Sequence, residues 1–313
     1  MSHTDPPVSS SDDPARQDEP TAHCWSEAGL SALLASAPRY PERIVCMTEE
    51  TTETLYRIGA GDRVVGISGY TVRPPEARQK PKISSFLSAD YDKILALKPD
   101  LVLGFSDLQA DLARELAKLG VPVYLFNQRS VAEILQTVRV IGALVGCAPQ
   151  AEGLADELAA HLHTRAVAAR QLPRHPRVLF EEWHDPFICG IRWVAELVEI
   201  AGGVDVCPEA REHQGAAGRI QDVEDIARRD PEVVIASWCG RKAQRALIEG
   251  RPGWDAVTAV RTDQLYEIKS PYILQPGPAA LTDGIDQIAR IIHAVAHGEH
   301  LPARRAGDLR RAD

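Results

Sequence analysis

The stretch Ala148 to Leu172, APQAEGLADELAAHLHTRAVAARQL, decides the fold. Leu154, Leu158 and Leu162 recur every four residues, Ala155, Ala159 and Ala166 fill beside them, and no proline interrupts before Pro173. That spacing predicts one amphipathic helix of roughly 22–24 residues, about 35 Å long at 1.5 Å per residue. Gly146 ends the helical pattern before it, and Pro149 stands where a first-turn proline is tolerated.

Similar material lies on both sides of this helix. Asp92-Lys-Ile94-Leu-Ala-Leu-Lys-Pro99-Asp100 precedes it and Glu224-Asp-Ile226-Ala-Arg-Arg-Asp-Pro231-Glu232 follows, at a constant offset of 132. A second pair, Glu53 to Gly59 against Glu196 to Gly202, agrees in the same order at an offset of about 142. Two ordered matches indicate two copies of one α/β unit hung from the helix. The expected layout is an acidic disordered tail over 1–38, a lobe over 39–146, the connecting helix over 147–173, a second lobe over 174–301 and a basic tail over 302–313.

Composition bounds the function. A chain of 313 residues, 44% hydrophobic, can bury a core in each lobe, and its formal charge of −9 argues against nucleic acid as a partner. No apolar run approaches the length of a membrane span. The first 28 residues are acidic and rich in Pro and Ser, without the basic start and apolar core of an export signal, and the apolar GLSALLASA is short. They point to a cytoplasmic protein, the alternative being a periplasmic one whose export signal is misread. The six cysteines (24, 46, 147, 189, 207 and 239) are widely spaced and read as reduced thiols. A monomer is expected.

Strand patterns at Arg43–Met47, Val64–Ile67, Leu101–Phe105 and Val121–Phe126, then Arg177–Phe180, Val233–Ser237 and Gln264–Ile268, alternate with helical ones. The fold class is therefore α/β, two Rossmann-like lobes with parallel sheets, and ligands sit beyond the C-terminal ends of such strands. The candidate cleft residues are Tyr70, Arg73, Phe86 and Phe105 on the first lobe, with Trp183, His184, Arg192, Trp193, Trp238 and Tyr272 on the second. Their aromatic content suggests a wide apolar ligand with some polar edges.

Metal and catalytic chemistry find little support. None of the ten histidines falls in the first lobe, so a divalent ion bridging the cleft is not expected; a one-sided site at His184 with Cys189 or Cys239 is the remaining metal reading. The chain has no G-x-S-x-G elbow, no Walker A loop and no H-E-x-x-H. A Cys239 thiol beside His184 or His213 is the remaining enzymatic reading. No catalytic residue and no resident cofactor are expected.

With these residues in place, the chain resembles the helical-backbone (class III) solute-binding proteins, specifically the vitamin B12-binding, BtuF-like group serving ABC importers. The likeness covers about residues 41–297 and is carried by ERIVCMTEETTETLYRIGAGDRVVGISGY, DKILALKPDLVLG, WVAELVEIAGGVDV and VEDIARRDPEVVI. The resemblance implies non-catalytic binding of a cobalamin-like corrinoid between the lobes. It places Tyr70 and Phe86 against the corrin ring, with Phe86 where the family usually has tryptophan. It also implies that Asp92, in place of the usual Glu, and Glu224 are lobe-tip acids that dock an ABC permease. A ferric siderophore or haem is the alternative ligand, for which Arg73, Arg192, Arg219 and Arg241 would meet anionic groups.

Overall fold

The protein is described by a computed structural model over residues 26–35, 40–302 and 309–312. Most of the expected acidic tail lies outside these residues, but part of it is ordered: Glu27–Ala35 forms a helix, a unit by itself. The second unit begins at Tyr40 and holds both sheets and the long helix.

Its first sheet holds five parallel strands, β1 (Ile44–Cys46), β2 (Val64–Ser68), β3 (Lys82–Ser84), β4 (Leu101–Phe105) and β5 (Val123–Phe126), in the order β3-β2-β1-β4-β5. The second has β6 (Arg177–Trp183) at its centre. β9 (Val233–Ala236) and then β10 (Leu265–Glu267) lie on one side, and β7 (Ile188–Cys189) with β8 (Val204–Asp205) on the other. Contrary to the expectation of parallel sheets throughout, β7 runs antiparallel to β6. The reason is length: four residues separate the two strands, far fewer than a parallel crossover needs.

The helix predicted from the leucine spacing spans Ala148–Ala169, 22 residues. It buries Leu154, Leu158 and Leu162 as the pattern requires. It packs along Val131–Leu144 of the first lobe and against Arg192–Ile200 and Ile285–Ala296 of the second. Strand side chains alternate between two cores: Ile44 and Cys46 face the helix layer, Val45 and Met47 the opposite side. The cluster containing Ile44 and Cys46 continues without a break through Leu158 to Val178, Phe180 and Ile288. Both lobes are thus anchored on one apolar core.

The C-terminus departs from the expected solvated tail. Residues 309–312 lie beside β10, with Glu267 N–H donating to Arg310 O and Arg310 N–H to Leu265 O. Leu309 and Ala312 are buried, while Arg310 pairs with Asp263 and Arg311 with Glu267. Two arginines that look like a solvated basic run meet acids on the sheet edge.

Candidate functional site: the interlobe cleft

The loops leaving β1, β2 and β5 meet the loop leaving β10 at the interlobe contact. Thr48 precedes helix Glu49–Arg57, whose Glu49, Glu50 and Glu53 are all buried. Gly277 of the second lobe lies so near that a Cβ there would come 2.3 Å from the Glu50 Cβ. Arg73 pairs with Glu53 at 3.1 Å and, across the cleft, with Asp283 at 2.9 Å, its guanidinium lying over the Tyr272 ring. Gln128 Nε2 donates to Pro276 O at 3.0 Å, and the Val131 N–H donates to Glu196 Oε2 at 2.7 Å.

Beside this contact lies a second group. Arg129 covers the Phe105 ring and pairs with Asp107 at 2.9 Å. Burial, then the charge of Arg219, holds the Arg129 guanidinium below its usual range, while Asp107 and Glu182 oppose the shift. Arg219, itself buried, donates to Glu182. Arg129, Arg192, Arg211 and Arg219 share a cavity of about 80 Å³.

The sequence-predicted residues divide by environment. Tyr70 is 54% exposed and Phe86 half-buried, with Leu87 and Leu108 exposed on the same lobe. The Phe86 carbonyl accepts from Gln109 Nε2, whose Oε1 accepts from the Phe105 N–H, so these two aromatics are joined through Gln109. Phe105 itself is buried. Trp183 is half-buried, its Nε1 donating to Asp185 O, with Arg241 over the ring. Trp193 and Trp238 have their rings in the interior, donating to Ile273 O and Glu181 Oε1. His184 stacks on Trp238 at 5.3 Å and its Nδ1 accepts from Arg251. Arg251 in turn clamps the fully buried Glu181. Arg192 is exposed and pairs with Glu196. Asp92 and Glu224 are exposed, one on each lobe.

The anion-meeting arginines therefore do not converge: Arg73 sits with Glu53, Arg192 and Arg219 share the other cavity, and Arg241 lies on Trp183. Glu50, Gln128, Arg129 and Asp283 are interlobe residues that the sequence pattern did not single out. Among the described residues no group of three or more His, Cys, Asp or Glu is arranged to hold a metal ion. A cavity of about 640 Å³ runs beside the C-terminal half of the long helix, lined by Arg165, Asp286, Arg290 and His293 and reaching Tyr272 and Asp283. It lies away from most of the strand ends, so the interlobe face is the better candidate.

Comparison with known proteins agrees with this architecture. A family model described as periplasmic binding protein matches residues 44–272. An ABC transporter substrate-binding lipoprotein of Bacillus subtilis is 26% identical over 81% of this chain and 80% of its own length. A vitamin B12-binding protein of Vibrio cholerae is 25% identical over 83% and 92%. A periplasmic haem-binding protein of Pseudomonas aeruginosa superposes with a TM-score of 0.71 at 19% identity, over 81% and 93%. These findings overturn the expectation of a cytoplasmic protein, because the family and its relatives work outside the cytoplasmic membrane. That expectation rested on the composition of the first residues, of which 1–25 lie outside the described ones. The two lobes, the single helix joining them and a family match over residues 44–272 lead to one conclusion: the chain belongs to the periplasmic binding protein family.

Proposed function

We propose that this protein binds a cobalamin-like corrinoid between its lobes and delivers it to an ABC permease, docking through Asp92 and Glu224. The observation that carries the ligand is the likeness to vitamin B12-binding proteins over most of both chains. The geometry supports it. Arg73, Arg129, Arg192, Arg211 and Arg219 each already pair with a carboxylate, which suits a large ligand of low net charge better than a polyanion. On the first lobe Tyr70, Leu87 and Leu108 are exposed and Phe86 half-buried, apolar surface that suits such a ligand. The small cavities between the lobes, about 10 and 80 Å³, fall short of the ~300 Å³ of a ligand pocket, so the ligand seats as the lobes part at Arg73–Asp283.

Haem is the second reading, favoured by the gathering of Arg129, Arg192, Arg211 and Arg219 around one cavity. Titrating the purified protein with cyanocobalamin and with haemin, read by calorimetry and visible spectrum, separates the two. Phe86→Ala should weaken cyanocobalamin binding 5- to 150-fold, about 1–3 kcal/mol, and Asp92→Ala should leave it unchanged. Binding of haemin alone, or Phe86→Ala binding like wild type, would sink the corrinoid assignment.

A further inference from the structure

Two of the six cysteines meet inside the second lobe. β8 and β7 lie end to end along one edge of β6: β8 pairs with Arg177 and Val178, β7 with Glu181 and Trp183. Cys189 closes β7, and Cys207 follows β8 by two residues. Both side chains are buried, in one apolar cluster with Leu179, Phe187 and Val206. Their Sγ atoms lie 2.7 Å apart. Cys46 sits in the first sheet, Cys147 at the start of the long helix and Cys239 exposed beyond β9.

We propose that Cys189 and Cys207 form a disulfide when the chain folds outside the cytoplasm, stapling the two half-strands on the edge of β6. The inference rests on the family's compartment, where disulfides persist, and not on the identity of the ligand. It replaces the sequence expectation of reduced thiols for this pair, whose wide spacing in the chain hid a contact made by the sheet.

The chemistry is thiol–disulfide exchange. One thiolate attacks a disulfide of a thiol–disulfide oxidoreductase, giving a mixed disulfide and releasing one carrier thiolate. The other cysteine's thiolate then displaces the second carrier sulfur. The chain gives up two protons and two electrons, and the carrier leaves as a dithiol. In the folded protein the Cys207 thiol is held far above its usual range, first by its bond with Cys189 and then by burial, so thiolate is scarce. Exchange therefore takes place before β7 and β8 close on β6.

The bond closes a ring that contains helix Arg192–Ile200. On that helix Trp193 holds Ile273 O, and Glu196 accepts the Val131 N–H of the first lobe. The staple thus fixes the wall of the second lobe that touches the first.

The test uses the full chain, refolded in a glutathione redox buffer, trapped with N-ethylmaleimide, denatured and mapped by mass spectrometry. Four thiols of the six should titrate, and the Cys189 and Cys207 peptides should be joined. Reduction should lower the melting temperature by about 6–12 °C, a shift absent from the Cys189→Ser/Cys207→Ser double variant. Six titrating thiols, or a bond joining any other pair, would overturn the proposal. No ligand enters the assay, so its failure is distinct from failure of the corrinoid reading.

Discussion

Glu49 and Glu50 are two carboxylates in the first turn of helix Glu49–Arg57, enclosed by the second lobe. Burial pushes the Glu49 carboxyl up to about 8, the charges of Glu50 and Glu53 add to this, and a hydrogen bond from Gln275 opposes it. Burial pushes Glu50 up to about 7 against the bonds it accepts from the Thr48 hydroxyl and from a backbone N–H. One oxygen of each, Glu49 Oε1 and Glu50 Oε2, is buried without a partner. A folded-state pKa above the unfolded value of 4.5 means that the folded chain holds the extra proton through the window between them. Stability present in acid is therefore lost as pH rises, up to about pH 7 for Glu50 and about pH 8 for Glu49.

From pH 5.5 upward, at about 1.4 kcal/mol per pH unit, the loss is at most about 3 kcal/mol for Glu49 and about 2 kcal/mol for Glu50. Glu49→Gln removes the charge and keeps an acceptor for Gln275. It should flatten the dependence of melting temperature on pH and raise the value at pH 8.5 by about 6–12 °C. Carboxylates held below their usual range, Glu133, Asp230 and Asp263 among them, lose their contribution only in acid, outside this window. Thermal unfolding of wild type, Glu49→Gln and Glu50→Gln at half-unit steps from pH 5.5 to 8.5 decides the matter. A wild type with constant melting temperature across that range, or a Glu49→Gln variant less stable than wild type at pH 8.5, would refute the reasoning.

Gly277→Ala should cost about 1–3 kcal/mol and increase the radius of gyration in small-angle scattering, because the new Cβ meets backbone and side chain of Glu50 at 3.1 and 2.3 Å. Arg251→Met leaves Glu181 charged and fully buried with only the Trp238 indole as side-chain donor, and should cost about 3–5 kcal/mol in denaturant unfolding. Adding Glu181→Met should recover most of that loss, since the unpaired charge is then gone. Asp100→Ala and Glu232→Ala each strip acceptors from backbone N–H groups at a strand entrance. Each should cost about 1–3 kcal/mol, and the double variant should show the sum within about 0.5 kcal/mol.

The long helix and the strand–helix alternation were legible because leucines at fixed spacing and β-branched runs carry their own period. β7 and β8 were not, since two-residue strands have no period and exist only because β6 offers an edge. At the cleft, the strand-end rule points to loops that meet between the lobes but says nothing of the direction of each ring. Trp193 and Trp238 look like Trp183 in sequence. Their indoles turn inward because Ile273 O and Glu181, 80 and 57 residues away in the chain, accept from them. In the sequence Glu49 and Glu50 are adjacent acids with nothing local to bury them. Only the Gly277 segment, more than 220 residues further on, makes them buried.

The internal repeat explains how two short helices hold Asp92 and Glu224 at the lobe surfaces. Tyr91–Ala96 and Val223–Arg229 have six and seven residues, too few to persist alone. Each is fixed by equivalent devices. Asp90 and Asp222 cap the backbone N–H of Lys93 and Asp225, and Ile94 and Ile226 are wholly buried. Lys98 and Asp230 turn the chain out at φ 47° and 48°. Asp100 then accepts the Glu42 and Arg43 N–H groups ahead of β1, while Glu232 accepts the Arg177 N–H at the start of β6. Arg43 and Arg177 close the circuit by donating to carbonyls at the helix ends, Leu97 O and Asp230 O. The acids in the second helical position are thereby tied to the central strand of each sheet, and both sheets are tied to the long helix by one core. A permease that reads both acids, as proposed above, would be reading the distance set by that helix.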